Sequence, residues 1–136
     1  MQVDPAHNPV IKIVTQRGEG DCGIAAIAML LGRTYEDVLA AAVSKTKSRT
    51  LHVRGVHFRQ IRQTLDALGY RTRTKRKVDF DNDCGIVDIT HRDGRHVAVL
   101  KAGLLFDTTG VVWEPEFYLL DQEGHVTALY YVEPKN

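Results

Sequence analysis

The chain reads as an α+β protein with its helices first and its strands afterwards. Three observations predict this. The first half holds an apolar run, Ile24-Ala25-Ala26-Ile27-Ala28-Met29-Leu30-Leu31, and a segment with Phe58, Ile61, Leu65 and Leu68 three or four residues apart. The second half holds short apolar or alternating segments punctuated by Arg92-Asp93-Gly94, Ala102-Gly103 and Glu123-Gly124. The two patterns do not interleave, which argues against a parallel α/β sheet.

After a short lead, Val10 to Val14, the first helix is expected from Cys22 to Leu31, where Gly32 can end it. Asp21 is its expected N-cap, its carboxylate taking the first free N–H groups. Thr34 is placed to cap a second helix, Tyr35 to Val43, with Glu36 and Asp37 in the first turn as the helix dipole prefers. Ser44 to Thr50 reads as a polar surface loop, and a third helix runs from about Val56 to Leu68, stopped by Gly69. Strands follow at Tyr70–Val78, Ile86–Thr90, His96–Lys101, Leu104–Thr108 and Val126–Val132. Trp113 and Glu114 to Tyr118 read as a loop after the hairpin that turns at Ala102-Gly103.

Composition narrows the function classes. The chain has 136 residues, 43% apolar and 26% charged, which suits one domain, residues 1–136, with its own core. A formal charge of +1 gives no global attraction to nucleic acid or to anionic membranes. The run Arg71-Thr72-Arg73-Thr74-Lys75-Arg76-Lys77 carries five cations, but alternation puts Arg71, Arg73, Lys75 and Lys77 on one face, a solvated face or a protected strand edge. No aromatic residue interleaves it and no recognition helix accompanies it; an acidic peptide or protein suits it better than nucleic acid. No segment is long and apolar enough to enter a membrane, and the N-terminus lacks signal character. With two cysteines and no disulfide framework, a reducing, cytoplasmic location is expected. The six histidines lack compact ligand spacing with the cysteines, so no metal is expected.

Chemistry concentrates at two places. Gln16 stands six residues before Cys22, and Cys22 opens the apolar helix. Unpaired N–H groups at a helix N-terminus favour thiolate over thiol, and an amide side chain nearby can complete an oxyanion hole. In the second half, His96 opens an apolar strand and Asp107 ends its hairpin partner. The simplest pairing sets Leu100 opposite Leu105 and Ala98 opposite Asp107, within diagonal reach of His96. A thiol, an imidazole and a carboxylate that orients it form the logic of an activated nucleophile. His91 lies five residues before His96 but in an exposed turn, so His96 is preferred as base; Cys84 precedes a glycine with no helix behind it and reads as structural.

Gln16, Asp21-Cys22-Gly23, His96-Val97-Ala98-Val99-Leu100 and Phe106-Asp107 together resemble the bacteriocin-processing (double-glycine leader) cysteine peptidases. Leu51 to Val56 and Leu65 to Tyr70 resemble that family's second helical block. The likeness spans about residues 10–132. It departs in a shorter stretch between histidine and acid and in Asp83-Cys84-Gly85-Ile86-Val87, where relatives often carry a proline-led strand. The resemblance implies a papain-like fold, helices packed on an antiparallel sheet. It also implies Cys22 as nucleophile, His96 as base, Asp107 as orienting residue and Gln16 as oxyanion donor. It implies a peptide or protein substrate cut after Gly-Gly or a similar small pair, no cofactor, and association with a separate peptide-exporting transporter. A non-catalytic peptide-binding adaptor and a thiol acyltransferase are the alternatives.

Overall fold

A computed structural model describes residues 2–3, 11–50, 55 and 57–135. The lead at Val10, and Leu51 to Arg54 and Val56 of the helical block, lie outside the described residues. Among those described, the order is β1 (Gln2–Val3), α1 (Cys22–Leu31), α2 (Tyr35–Thr46), α3 (Phe58–Ala67), β2 (Tyr70–Lys75), β3 (Gly85–His91), β4 (Gly94–Lys101), β5 (Leu104–Phe106), β6 (Val112–Trp113), α4 (Pro115–Asp121) and β7 (His125–Pro134). The expected α+β class is observed. All strand pairs are antiparallel, and the sheet runs β1-β6-β5-β4-β3-β7-β2.

The caps explain most boundaries. Gly32 ends α1 in the left-handed region at φ 66°, its N–H returning to Ala28 O. Thr34 Oγ1 accepts the Asp37 N–H at 3.1 Å and starts α2. This helix runs on past Val43 to Thr46, through residues expected as loop. Thr46 Oγ1 donates to Ala42 O at 2.7 Å, and Lys45 in the last turn lies 3.0 Å from Asp66 of α3.

The sheet is buried on both faces, and pleat parity decides what each face meets. Ile86, Val97, Val99, Phe106 and Tyr130 pack with Ile24, Ile27, Val38, Ile61 and Leu65 of the helices. Val87, Ile89, Ala98, Leu100, Leu105 and Leu129 face the other way, toward Tyr118 of α4. The segment from Glu114, read as loop from sequence, is therefore a helix. Pro115 at its first position and Glu116 in its first turn are the local start signals. Burying Tyr118 is what a free loop could not do.

The basic run forms the edge strand β2, but it ends at Lys75 rather than Val78. Arg71 and Arg73 reach Glu133 of β7, at 3.4 Å and 3.2 Å, and Lys75 lies 2.8 Å from Asp83. These cations are matched within the chain. They lie on one face, as alternation requires, and protect the edge.

Gly85 sets how closely β3 approaches β7. A Cβ there would lie 2.3 Å from the backbone oxygen of Tyr130. Gly85→Ala must push these strands apart and is expected to cost about 1–3 kcal/mol, the usual range for overpacking. Urea unfolding should show a lower midpoint at an unchanged slope; an unchanged midpoint would contradict the close approach.

Candidate active site

Cys22 is the first residue of α1, partly exposed, on the helix that packs against β4. Asp21 occupies the N-cap position, but its carboxylate does not cap, contrary to the sequence expectation. It turns back and accepts the N–H groups of Arg17 (2.7 Å) and Gly18 (3.0 Å) and the hydroxyl of Tyr35 (2.6 Å). Only 1% of the residue is exposed. The reason is competition: three donors held by the preceding loop and by α2 satisfy a buried carboxylate better than the two helix N–H groups within reach. Burial alone would raise this acid; the Tyr35, Arg17 and Gly18 donors outweigh it and hold it below the usual range. The helix is instead started by the Asp21 carbonyl, which accepts Ile24 N–H and Ala25 N–H. The N–H of Cys22 has no partner among the described residues.

β4 and β5 pair as Lys101↔Leu104, Leu100↔Leu105 and Val99↔Phe106, in the expected register. The next expected pair, Ala98 opposite Asp107, does not form. The chain leaves the sheet at Asp107 and turns: Gly110 N–H donates to Asp107 O, and Asp107 N–H to Val111 O, both at 3.0 Å. This turn swings the Asp107 carboxylate onto the imidazole of His96, with Nε2 2.6 Å from Oδ1. The second carboxylate oxygen accepts the Thr109 hydroxyl at 2.5 Å.

Burial by itself would lower the His96 pKa. The hydrogen bond to Asp107 and the nearness of Cys22 overcome it and push it from 6.5 up to about 9. Burial likewise works to raise Asp107, and its contacts with His96 and Thr109 bring it below the ordinary carboxylate value. With Nε2 facing Asp107, Nδ1 has no hydrogen-bond partner among the described residues. His91 stands beside this pair, ring centroids 6.2 Å apart, without joining it.

Gln16 reaches the same place by a route the sequence did not disclose. Its N–H donates to Thr108 O at 2.7 Å, its side-chain Nε2 to Gly18 O at 2.6 Å, and its Oε1 accepts the Thr108 hydroxyl. Thr108 is fully buried, and its Oγ1 also lies 3.3 Å from His96 Nε2. It ties the Cys22 loop to the His96–Asp107 hairpin, and sequence reasoning missed it; its only signal was its place next to Asp107. Cys84 is exposed, and partial burial of its sulfur holds its thiol above the ordinary range.

A cleft of about 360 Å³ opens over Cys22 and His96, walled by Gly20, Phe58, Ile61, Val97 and Tyr130. Among the described residues no group of three His, Cys, Asp or Glu could hold a metal ion, and no helix is long and apolar enough to cross a membrane.

This is the arrangement of a papain-like fold: a cysteine at a helix start shares a cleft with a histidine on an antiparallel sheet, and an acid just past the next strand pairs with that histidine. Among solved structures, the chain is similar to a double-glycine motif protease from an AMS/PCAT transporter, solved with its leader peptide. The TM-score is 0.61 at 16% identity, over 99% of each chain. It is also similar to the peptidase domain of Streptococcus ComA, a bifunctional ABC transporter of a quorum-sensing pathway. There the TM-score is 0.61 at 21% identity, over 91% of this chain and 98% of that one. No protein-family model matches the chain, and no curated protein matches it by sequence.

A raised imidazole pKa stabilises the fold below the unfolded value and loses that contribution as pH rises through the folded one. Wild-type stability is therefore expected to fall between pH 6.5 and about 9, by an amount on the order of a few kcal/mol. The depressed Asp107 works in the opposite direction, its contribution lost below 3.8. Urea midpoints across this range should show the alkaline loss in wild type and not in His96→Gln. Identical slopes would contradict the buried pair.

Proposed function

We propose that the chain is a cysteine peptidase whose nucleophile is Cys22, with His96 as base and acid and Asp107 as orienting carboxylate. The observation that carries this reading is the His96–Asp107 hydrogen bond at 2.6 Å, with His96 and Cys22 lining one cleft. A buried imidazole held cationic beside a thiol supports a thiolate–imidazolium pair.

In the proposed cycle the thiolate attacks the scissile carbonyl carbon, and the oxyanion is held by the free N–H of Cys22 and by the second hydrogen of Gln16 Nε2. His96 gives its proton to the leaving amine as the C–N bond breaks. Water, deprotonated by neutral His96, then cleaves the thioester and restores the pair. Thr108 and Asp21 position Gln16 and its loop and take no part in proton transfer. No step calls for a cofactor.

The substrate is a peptide or protein with a small pair, such as Gly-Gly, before the cut. Gly20 and the rings of Phe58 and Tyr130, stacked at 3.6 Å between centroids, line the cleft at Cys22. The likeness to two transporter peptidase domains supports an enzyme that works with a peptide exporter.

The test is incubation with peptides carrying Gly-Gly at the centre and mass spectrometry of the products. Wild type is expected to cut after the pair; Cys22→Ala and His96→Ala are expected to show no cleavage. Gln16→Ala should lower kcat about 10²–10³-fold, as loss of one oxyanion donor does. Iodoacetamide near neutral pH should label wild type and Cys84→Ala, but not Cys22→Ala. Undiminished cleavage by Cys22→Ala, or equal labelling of both cysteine variants, would sink the assignment.

A further inference from the structure

A cavity of about 520 Å³ adjoins the Cys22 cleft, on the side of the sheet that faces the first three helices. Its charge lies in three guanidinium groups, Arg62, Arg76 and Arg95, against one carboxylate, Asp88. Separate parts of the chain bring the cations together. Arg62 stands in α3, one turn after Phe58, with its guanidinium over the Phe58 ring at 4.9 Å. Arg95 comes from β4, and Arg76 from the basic run, one residue past the end of β2. Alternation explains the place of Arg76. Arg71, Arg73 and Lys75 point to the face where Glu133 and Asp83 match them, whereas Thr74 pairs with Tyr130 and shares its face. Arg76, two residues beyond Thr74, follows it into the cavity and away from those acids.

Two observations mark this as a built site. Neither Arg62 nor Arg76 has an ion-pair partner among the described residues, and Arg95 is paired with Asp88. Three cations and one carboxylate leave a net charge of +2 in one concave wall. In addition, Tyr130 is 5% exposed, yet its hydroxyl has no hydrogen-bond partner among the described residues. Burial and the Asp88 carboxylate hold its phenol above the ordinary range against Arg95, Arg76 and Arg62, so it keeps a proton to donate. A buried donor without an acceptor calls for a bound group.

We propose that this cavity binds a phosphate group, free or carried by a small ester. Guanidinium forks match the paired oxygens of phosphate, and a dianion cancels the net charge of the wall. A carboxylate carries a single charge and leaves part of it uncancelled. Asp88 does not oppose the anion as a bare charge. Arg95 holds it, and the Thr127 hydroxyl donates to its Oδ2 at 3.0 Å. Arg62, Arg76 and the Tyr130 hydroxyl therefore meet the ligand. The volume is in the range of small-molecule sites, which leaves room for the organic part of an ester. Phe58, Asp88, Arg95 and Tyr130 line both this cavity and the Cys22 cleft, so the bound phosphate borders that cleft without touching Cys22. The inference goes beyond the peptidase reading and does not rest on it.

The experiment is calorimetric titration of the full chain, near neutral pH and at constant ionic strength, with inorganic phosphate, glycerol phosphate and acetate. Saturable binding of phosphate is expected, about tenfold or more tighter than acetate. Tighter binding of glycerol phosphate assigns the site to an ester, and tighter binding of inorganic phosphate assigns it to the free ion. Arg62→Gln and Arg76→Gln should each weaken binding about 5- to 30-fold, and Tyr130→Phe, which keeps the ring, about 3- to 10-fold. Arg73→Gln, in the same basic run but on the other face, should bind as wild type. Acetate binding as tightly as phosphate, equal weakening by Arg73→Gln and Arg76→Gln, or no saturable binding of either phosphate would overturn the inference.

Discussion

The contact between the His96 imidazole and the Asp107 carboxylate sets the terms for the rest of the site. Both groups are largely withdrawn from water, and burial works against the charge on each. Their mutual hydrogen bond reverses that penalty, because an ion pair in a low-dielectric setting interacts far more strongly than one at the surface. Removing one partner leaves the other buried and uncompensated, which is why such pairs are costly to break. The pair also fixes the ring's orientation, with Nε2 toward Asp107.

The fold delivers this contact by ending a strand early. β5 pairs with β4 for three residues and then leaves the sheet, so the β4 edge at His96 is open where the start of α1 arrives. Thr108 closes the gap from below, one residue bonding both Gln16 and the imidazole. Asp21 closes it from the side, binding the Arg17–Gly18 backbone to Tyr35 of α2. The likeness to two transporter peptidase domains extends over nearly the whole chain at low identity, so the fold is shared.

Local periodicity and turn chemistry made much of this legible beforehand. The Ile24–Leu31 run, the Thr34 cap and the Ala102-Gly103 turn each depend on neighbours in sequence, and each was found where expected. Leu100 opposite Leu105 followed from turn length alone, and it brought Asp107 within reach of His96. What escaped depended on partners far along the chain. The Asp21 carboxylate looked like a cap because one of its three competing donors, the Tyr35 hydroxyl, comes from α2, and the loop that turns Arg17 and Gly18 back onto it has no local signal. Thr108 looked like the end of a strand because nothing local shows that its hydroxyl meets Gln16, 92 residues away. Pro115 and Glu116 did signal a helix start, but a helix of seven residues is too short for periodicity to reveal it.

The most direct measurement is the titration of His96 followed by its imidazole resonances in wild type, Asp107→Asn and Cys22→Ala. In wild type the ring should change protonation at about 9. It should titrate lower in each variant, furthest in Asp107→Asn, where burial acts with less to oppose it. A wild-type ring that titrates at its ordinary 6.5, indifferent to both substitutions, would mean that these three side chains do not act as one unit.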